Sequence, residues 1–114
     1  MIAVIFEVVP ADGQRDEYLA IAQRIKPDLE KVDGFISVER FQSLADERKL
    51  LSLSFFRDEA AVIRWRKKMV HKDAQQHGRR GLFESYRIRV AAVMRDYGLT
   101  DRSEAPEPVR DPEG

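Results

Sequence analysis

The segment that decides the fold is residues 58–97, which read DEAAVIRWRKKMVHKDAQQHGRRGLFESYRIRVAAVMRDY. It begins as a helix, because Asp58 is a favourable N-cap and the apolar residues after it recur at helical spacing through Trp65. We expect the helix to bend and to continue as a second short helix over residues 70–78. The segment ends as a strand over residues 86–97, where apolar and charged residues alternate at first.

Three strands and one helix precede this segment. They are a strand over residues 1–9, an amphipathic helix that starts at residue 12 or 13, and a hairpin of strands over residues 35–42 and 49–56. Pro27 lies inside the helical pattern, and because proline has no backbone N–H, we predict a kink or a break near it. Simple alternation along the first hairpin strand places Phe35 and Arg40 on opposite faces.

The element order β-α-β-β-α-β predicts an α+β, ferredoxin-like sheet with both helices on one face. The other face would still carry large apolar side chains, and exposing them would lower solubility. We therefore predict a homodimer in which two copies pair sheet to sheet as a dimeric α+β barrel. The domain spans residues 1–97. Residues 98–114 form a charged, proline-rich tail, which we expect to be disordered or to lie over the partner subunit.

The composition excludes several classes of function. The 114 residues suit one domain, and twenty basic and twenty acidic residues give a formal net charge of +0. That balance argues against nucleic-acid binding, which would need a basic face. The chain has no cysteine, so thiolate metal sites and cysteine nucleophiles are excluded. No apolar run would span a bilayer and the N-terminus lacks a signal-peptide pattern, so a cytoplasmic location is the default expectation, with no membrane partner.

Three stretches of the chain are similar to a known family. They are VDGFISVERFQS at residues 32–43, LLSLSFFRDEAAVIRW at residues 50–65, and an H-x5-H segment at residues 71–77 that precedes GLFESYRIRVAAV. Through them the chain resembles the antibiotic biosynthesis monooxygenase (ABM) family, within the dimeric α+β barrel superfamily, over roughly residues 2–97. Because the superfamily includes several chemistries, the resemblance is more specific for the fold than for a reaction. It implies a ligand pocket between the sheet and the second helix.

Six side chains are expected to reach this pocket: Phe6, Arg40, Trp65, His71, His77 and Tyr86. Trp65 is either a core residue or a pocket wall that stacks on a planar substrate, as the resemblance implies. His71 is our first choice for a general base or proton shuttle, with an exposed residue at a helix end as the alternative. His77 is the weaker candidate for a substrate contact, because it lies next to Gly78 and fits a surface position.

The other two polar candidates lie on strands. Tyr86 either donates a hydrogen bond to a developing oxyanion, as a catalytic group, or caps a sheet edge. Arg40 is expected to pair with a carboxylate such as that of Glu7, and the alternative is that it holds an anionic substrate. The two histidines are six residues apart, which is not the spacing of a helical zinc pair, so no metal is expected.

These residues are consistent with a monooxygenase of a small aromatic or quinol-like substrate that uses no cofactor. There is no glycine-rich phosphate loop for a nucleotide or flavin, and similar enzymes take the reducing electrons from the substrate. Haem degradation is a less favoured alternative, since similar haem degraders carry an asparagine on the first strand and this chain contains none. A third possibility is a non-catalytic dimer that binds a small hydrophobic molecule, such as a stress-response module.

Overall fold

The predicted order of elements and the α+β class are confirmed. The computed structural model describes residues 1–76 and 81–106, and the side chains of these residues other than 71–76. The elements are β1 (Ile2–Pro10), α1 (Arg15–Glu30), β2 (Phe35–Gln42), β3 (Leu50–Phe56), α2 (Glu59–Gln76) and β4 (Phe83–Ala92). Over the described residues, no helix is both long and apolar enough to cross a membrane.

The four strands form one antiparallel sheet in the order β2-β3-β1-β4. Phe6 in β1 is paired with Ser52 in β3 and Ile88 in β4, and Ser52 is paired in turn with Arg40 in β2. Residues directly opposite one another in an antiparallel sheet share a face, so these four side chains lie together. Both helices pack on this face, which we call the inner face.

Two buried clusters join the helices to the inner face. The first consists of Val8, Tyr18, Ile21, Leu50 and Leu82. The second consists of Leu29, Phe56, Ala61 and Val62. Phe56 is 0% exposed and contributes the largest fully buried side chain of the described residues. A buried phenylalanine stabilises the fold by about 1.5–3 kcal/mol through the removal of its apolar surface from water.

Both helices are more continuous than predicted. α1 begins at Arg15, slightly later than expected, and runs without a break through Pro27. Proline removes one backbone hydrogen bond here, but Leu29, two residues further along, is buried against the core and holds the end of the helix in place. α2 is also a single helix that ends at Gln76, so the predicted second short helix after a bend is wrong.

Simple alternation fails at the start of β2. The register of β2 against β3 shifts between Phe35 and Ser37, which leaves Ile36 as the extra residue of a β-bulge. Phe35 is consequently paired with Phe56, and their rings pack edge to face with centroids 5.9 Å apart. Phe35 therefore lies on the inner face together with Arg40, and the prediction that they lie on opposite faces is wrong.

The opposite side of the sheet, which we call the outer face, is apolar at its centre and charged at its edges. The central strands β1 and β3 place on it the half-buried side chains of Ile5, Leu51, Leu53 and Phe55. The edge strand β2 contributes Glu39, which is opposite Leu53 in the register. The other edge strand, β4, contributes Arg87 and Arg89. The outer face thus carries an acidic side chain on one edge strand and two basic side chains on the other.

The end of the chain differs from the prediction in detail. β4 spans Phe83–Ala92, so it begins and ends earlier than the predicted strand over residues 86–97. Beyond it, the N–H of Gly98 donates to the carbonyl of Asp101 at 2.8 Å, and Ala105 is buried. Residues 107–114 lie outside the described residues, and contact of the tail with a partner subunit stays a prediction.

Candidate functional site

A cavity of about 410 Å³ lies between the inner face of the sheet and the two helices. Its floor includes Phe6, Arg40, Ser52 and Ser54, and its roof includes Tyr18 of α1 and Trp65 of α2. The pocket was predicted between the sheet and the second helix, and the structure adds the first helix to its walls. A mostly apolar, concave space with a few polar groups is the usual form of a small-molecule site.

The cavity is open to solvent along β4. Tyr86, Ile88 and Val90 line it from the inner face of this strand, yet they are 61%, 50% and 44% exposed. β4 is the edge strand of the sheet, and the helices cover its inner face only in part. This side therefore gives a molecule from solvent a route to the cavity.

A cluster of aromatic rings positions Tyr86 at the cavity. Its ring packs edge to face on Phe6 and on Phe83, with centroids 5.7 Å apart in both pairs. Phe83 also packs on Tyr18 of α1 at 5.8 Å. Edge-to-face pairs are favourable beyond the area they bury, by about 0.5–1.5 kcal/mol each. Tyr86 therefore lines the cavity, and its hydroxyl is available for a hydrogen bond with a bound molecule.

Trp65 combines the two roles that the sequence left open. Its ring packs against the second core cluster, which includes Phe56 and Val62, and it also lines the cavity. It is half-buried, as expected for a side chain with one face on the core and one on an open space. It is the only tryptophan of the chain, so its fluorescence reports on this site alone.

The start of α2, which sets the position of Trp65, is held by an N-cap and a close backbone approach. Asp58 Oδ1 accepts a hydrogen bond from the N–H of Ala61 at 2.9 Å, as the sequence predicted. Gly34 has a φ of 95°, in the left-handed region that glycine tolerates, and a Cβ there would lie 2.7 Å from the Cβ of Ala61. Glycine is therefore needed at residue 34 for α2 to approach this loop.

An exposed ion-pair network reinforces the same junction. Arg57 donates to both carboxylate oxygens of Asp33 at 3.3 Å, and its Nε donates to Asp58 at 3.3 Å. The hydrogen bond from Arg57 is the main reason that the pKa of Asp33 is lowered from its ordinary value of 3.8. The hydrogen bond from Ala61 is the main reason that the pKa of Asp58 is lowered, with Arg57 as the next cause.

Arg40 does not pair with Glu7, contrary to our first expectation. Glu7 lies on the outer face, where its Oε1 is 3.4 Å from Nη1 of Arg89. Arg40 lies on the inner face opposite Ser52 and lines the cavity. Its Nε atom is buried and has no hydrogen-bond partner in the described structure. A buried donor without a partner is costly, so this group is suited to a bound acceptor.

The structure does not describe the side chain of either histidine, so their roles at the cavity stay predictions. His71 belongs to α2 by its backbone, but its side chain lies outside the described set. His77 falls outside the described residues altogether. The described part of the chain contains no group of three or more histidine, cysteine or acidic side chains that could hold a metal ion.

Of the six predicted site residues, four come together at the cavity: Phe6, Arg40, Trp65 and Tyr86. The prediction missed Tyr18, Ser52 and Ser54. Tyr18 has the spacing of a core residue on α1, and nothing in that spacing distinguishes a cavity wall from solid core. The serines alternate with leucines along β3, which shows that they share a face but not that this face meets the helices.

Comparison with known proteins identifies the family. A sequence profile described as antibiotic biosynthesis monooxygenase matches residues 1–77. The chain belongs to the antibiotic biosynthesis monooxygenase family. The matched part runs from β1 to the end of α2 and so contains Phe6, Arg40 and Trp65.

One relative of this ABM chain carries a specific name. It is the jasmonate monooxygenase ABM of Pyricularia oryzae, which is 47% identical over 93 residues. The match covers 82% of the present chain and 43% of that protein. The chain therefore spans less than half the length of this relative.

Solved structures show the same fold at low sequence identity. SnoaB from Streptomyces nogalater, described as a cofactor-independent oxygenase, superposes with a TM-score of 0.66 at 11% identity, over 83% of this chain and 94% of that one. The haem degrader MhuD from Mycobacterium tuberculosis, with two haems bound, superposes with a TM-score of 0.68 at 13% identity, over 86% and 100%. These likenesses confirm the ferredoxin-like architecture of the ABM chain.

Proposed function

We propose that this ABM chain is a monooxygenase that acts on a small, largely apolar substrate in the inner-face cavity without a metal or flavin. Aromatic and quinol-like molecules are the first candidates. The observation that carries the proposal is the apolar cavity with Trp65 in its roof and few polar groups, in a chain of this family. The relative named as a jasmonate monooxygenase and the oxygenase SnoaB support the reaction class.

The chemistry requires a substrate that supplies its own electrons. A base removes a proton from an activated CH₂ group or from the hydroxyl group of a quinol, and the resulting carbanion or phenolate transfers electron density from carbon to O₂ to form a peroxide at a carbon that carries hydrogen. Loss of water from the peroxide leaves a carbonyl group. One oxygen atom enters the substrate, the other leaves as water, and no external reductant is consumed. A site that excludes water and stabilises the intermediate anion accelerates this sequence.

The residues at the cavity suit these steps. The face of Trp65 that lines the cavity offers a stacking surface for a planar substrate. Tyr86 lines the cavity at its open side, and its hydroxyl group is suited to donate a hydrogen bond to the developing oxyanion. We retain His71 as the base, because α2 carries its backbone immediately after Val70, a residue that lines the cavity.

Oxygen uptake tests this function. Dithranol, an anthrone, and a set of hydroquinones are supplied to the protein in an oxygen-electrode cell, with the reaction in buffer subtracted. We expect protein-dependent uptake that falls by about a hundredfold or more in His71→Ala, because general-base catalysis is commonly worth that much. Lys67→Ala, an exposed position on the same helix, is the matched control. Full activity of His71→Ala would remove His71 as the base, and no uptake with any substrate would contradict the oxygenase.

We also propose that the working form is a homodimer built through the outer faces. Ile5, Leu53 and Phe55 give this face an apolar centre that the described chain does not bury completely. Stacked sheets bury such surfaces about 10 Å apart with their strands roughly aligned. A two-fold axis parallel to the strands would place β2 of one copy opposite β4 of its partner.

The charges at the edges favour this orientation of the axis. Glu39 on β2 would then face Arg87 and Arg89 on β4 of the second copy. An axis perpendicular to the strands would instead bring the arginines of the two β4 strands together, and like charges across an interface are unfavourable.

A further inference from the structure

The cavity has an unbalanced positive charge. Among the described side chains that line it, two are cationic, Arg40 from the sheet and Arg66 from α2, and none is an aspartate or glutamate. Arg66 is on the exposed side of its helix, so solvent screens it. Arg40 is the cation that the fold partly encloses.

In the part of the chain that the structure describes, no acidic side chain forms an ion pair with Arg40. The nearest acids along its strand and across the sheet, Glu39 and Glu7, lie on the outer face. Glu7 is already engaged with Arg89 on that face. The hydroxyl of Ser52, directly opposite Arg40 in the register, is the neighbouring polar group on the floor. An arginine held in this way, with its Nε buried and unpaired, lacks the acceptor that would offset its desolvation.

We propose that Arg40 binds the carboxylate of an amphiphilic substrate, whose apolar body fills the cavity towards Trp65 and the aromatic ring of Phe6. A carboxylate offers two acceptor oxygens in a plane, which matches the fork of N–H donors on a guanidinium group. The remaining walls are mainly apolar and suit a hydrocarbon or aryl body. This inference rests on the proposed function, and it names the substrate class as small apolar acids rather than neutral quinols.

The test compares a charged ligand with its neutral isostere. A series of ω-phenylalkanoic acids, including 4-phenylbutanoate, and the corresponding primary amides is titrated into the protein under nitrogen, with Trp65 fluorescence as the readout. We expect the acids to bind about tenfold to a hundredfold more tightly than the amides, because a hydrogen bond to a charged partner in a partly buried site is worth that much.

Substitutions at Arg40 test whether this residue causes the preference for acids over amides. Arg40→Met keeps the bulk of the side chain and should abolish the preference for acids while leaving amide binding unchanged. Arg40→Lys keeps the charge without the planar fork and should restore part of it. Arg24→Met removes an exposed arginine of α1 and is the control, which should behave as the unmodified protein.

Three results would overturn the inference. Acids and amides could bind equally, no acid of the series could bind, or Arg40→Met could weaken both classes alike, which would make Arg40 a structural residue. A failure of the carboxylate site can be distinguished from a failure of the proposed oxygenase function. Acid binding without oxygen uptake would contradict only the oxygenase, whereas uptake with neutral quinols that is unchanged in Arg40→Met would contradict only the carboxylate site.

Discussion

Phe55 and Phe56 are neighbours in β3, and they face opposite sides of the same sheet. Phe56 points to the helices and is 0% exposed, whereas Phe55 lies on the outer face and is only half-buried. Both faces of the sheet are apolar at their centres, but the chain itself covers only one of them. The inner face is closed by α1 and α2 and keeps a cavity. The outer face, on our proposal, is closed by a second copy.

The largest expected effect is a difference in stability between substitutions on the two faces of the sheet. Phe56→Ala should lower the free energy of unfolding by about 3–5 kcal/mol, because it leaves a void in a fully buried cluster. Phe55→Ala removes the same atoms from a half-buried site. In the dissociated chain it should lower the free energy of unfolding by roughly half as much or less. Urea denaturation monitored by circular dichroism compares the two. Equal losses in the isolated chain would show that the faces do not differ in this way.

The next effect concerns the outer face alone. Leu53→Arg would place a long charged side chain at the centre of the proposed apolar interface, so the dissociation constant of the dimer should rise about a hundredfold or more. Analytical ultracentrifugation measures it. Leu44→Arg, at a fully exposed position in the β2–β3 loop, is the control and should leave the assembly unchanged. A wild-type chain that sediments as a monomer at micromolar concentration would contradict the dimer.

A smaller effect sharpens the geometry of that interface. Glu39→Arg should weaken the dimer by about tenfold or less, since pairs at the edge of an interface contribute little. Adding Arg87→Glu to Glu39→Arg should restore the affinity if β2 faces β4 across the two-fold axis. Sedimentation of the single and double variants provides the comparison. If the dimer of the double variant dissociated more readily than that of either single variant, the two-fold axis would have a different orientation.

The smallest effect is a pH dependence at the junction of β2 and α2. Asp33 and Asp58 have lowered pKa values, so they stabilise the fold above the ordinary carboxyl pKa of 3.8, and this contribution is lost as the pH falls through their folded values. Arg57→Met removes a cause of both shifts. Its destabilising effect should be present at neutral pH and should shrink in acid, which melting curves across this range would show. An effect independent of pH would mean that Arg57 acts through packing.

The sequence could predict the fold because its strongest signals are local. The helical spacing through Trp65, the Asp58 cap and the alternation in the strands are each readable without knowledge of the partner strands. Four of the six expected pocket residues followed from that fold together with the family resemblance. The continuity of α1 through Pro27 was not readable, because it depends on tertiary packing of Leu29.

Details of the site depend on the register between strands, which a single sequence does not reveal. The bulge at Ile36 places Phe35 on the face of Arg40, and alternation alone gave the opposite result. That Arg40 and Glu7 lie on opposite faces likewise follows only from the pairing of residues between β2 and β3 and between β3 and β1. These pairings create the unpaired arginine, and so the most informative feature of the cavity emerged only from the structure.

The most direct test of the central claim is whether the cavity takes up a small apolar molecule beneath Trp65. Dithranol is titrated into the protein under nitrogen while the fluorescence of Trp65 is recorded, and the same titration is made on Ser52→Phe, which fills the floor of the cavity. The account predicts saturable quenching in the unmodified protein and its loss in Ser52→Phe. Equal quenching in both proteins, with Ser52→Phe still folded, would contradict it, because the molecule would then bind outside the cavity.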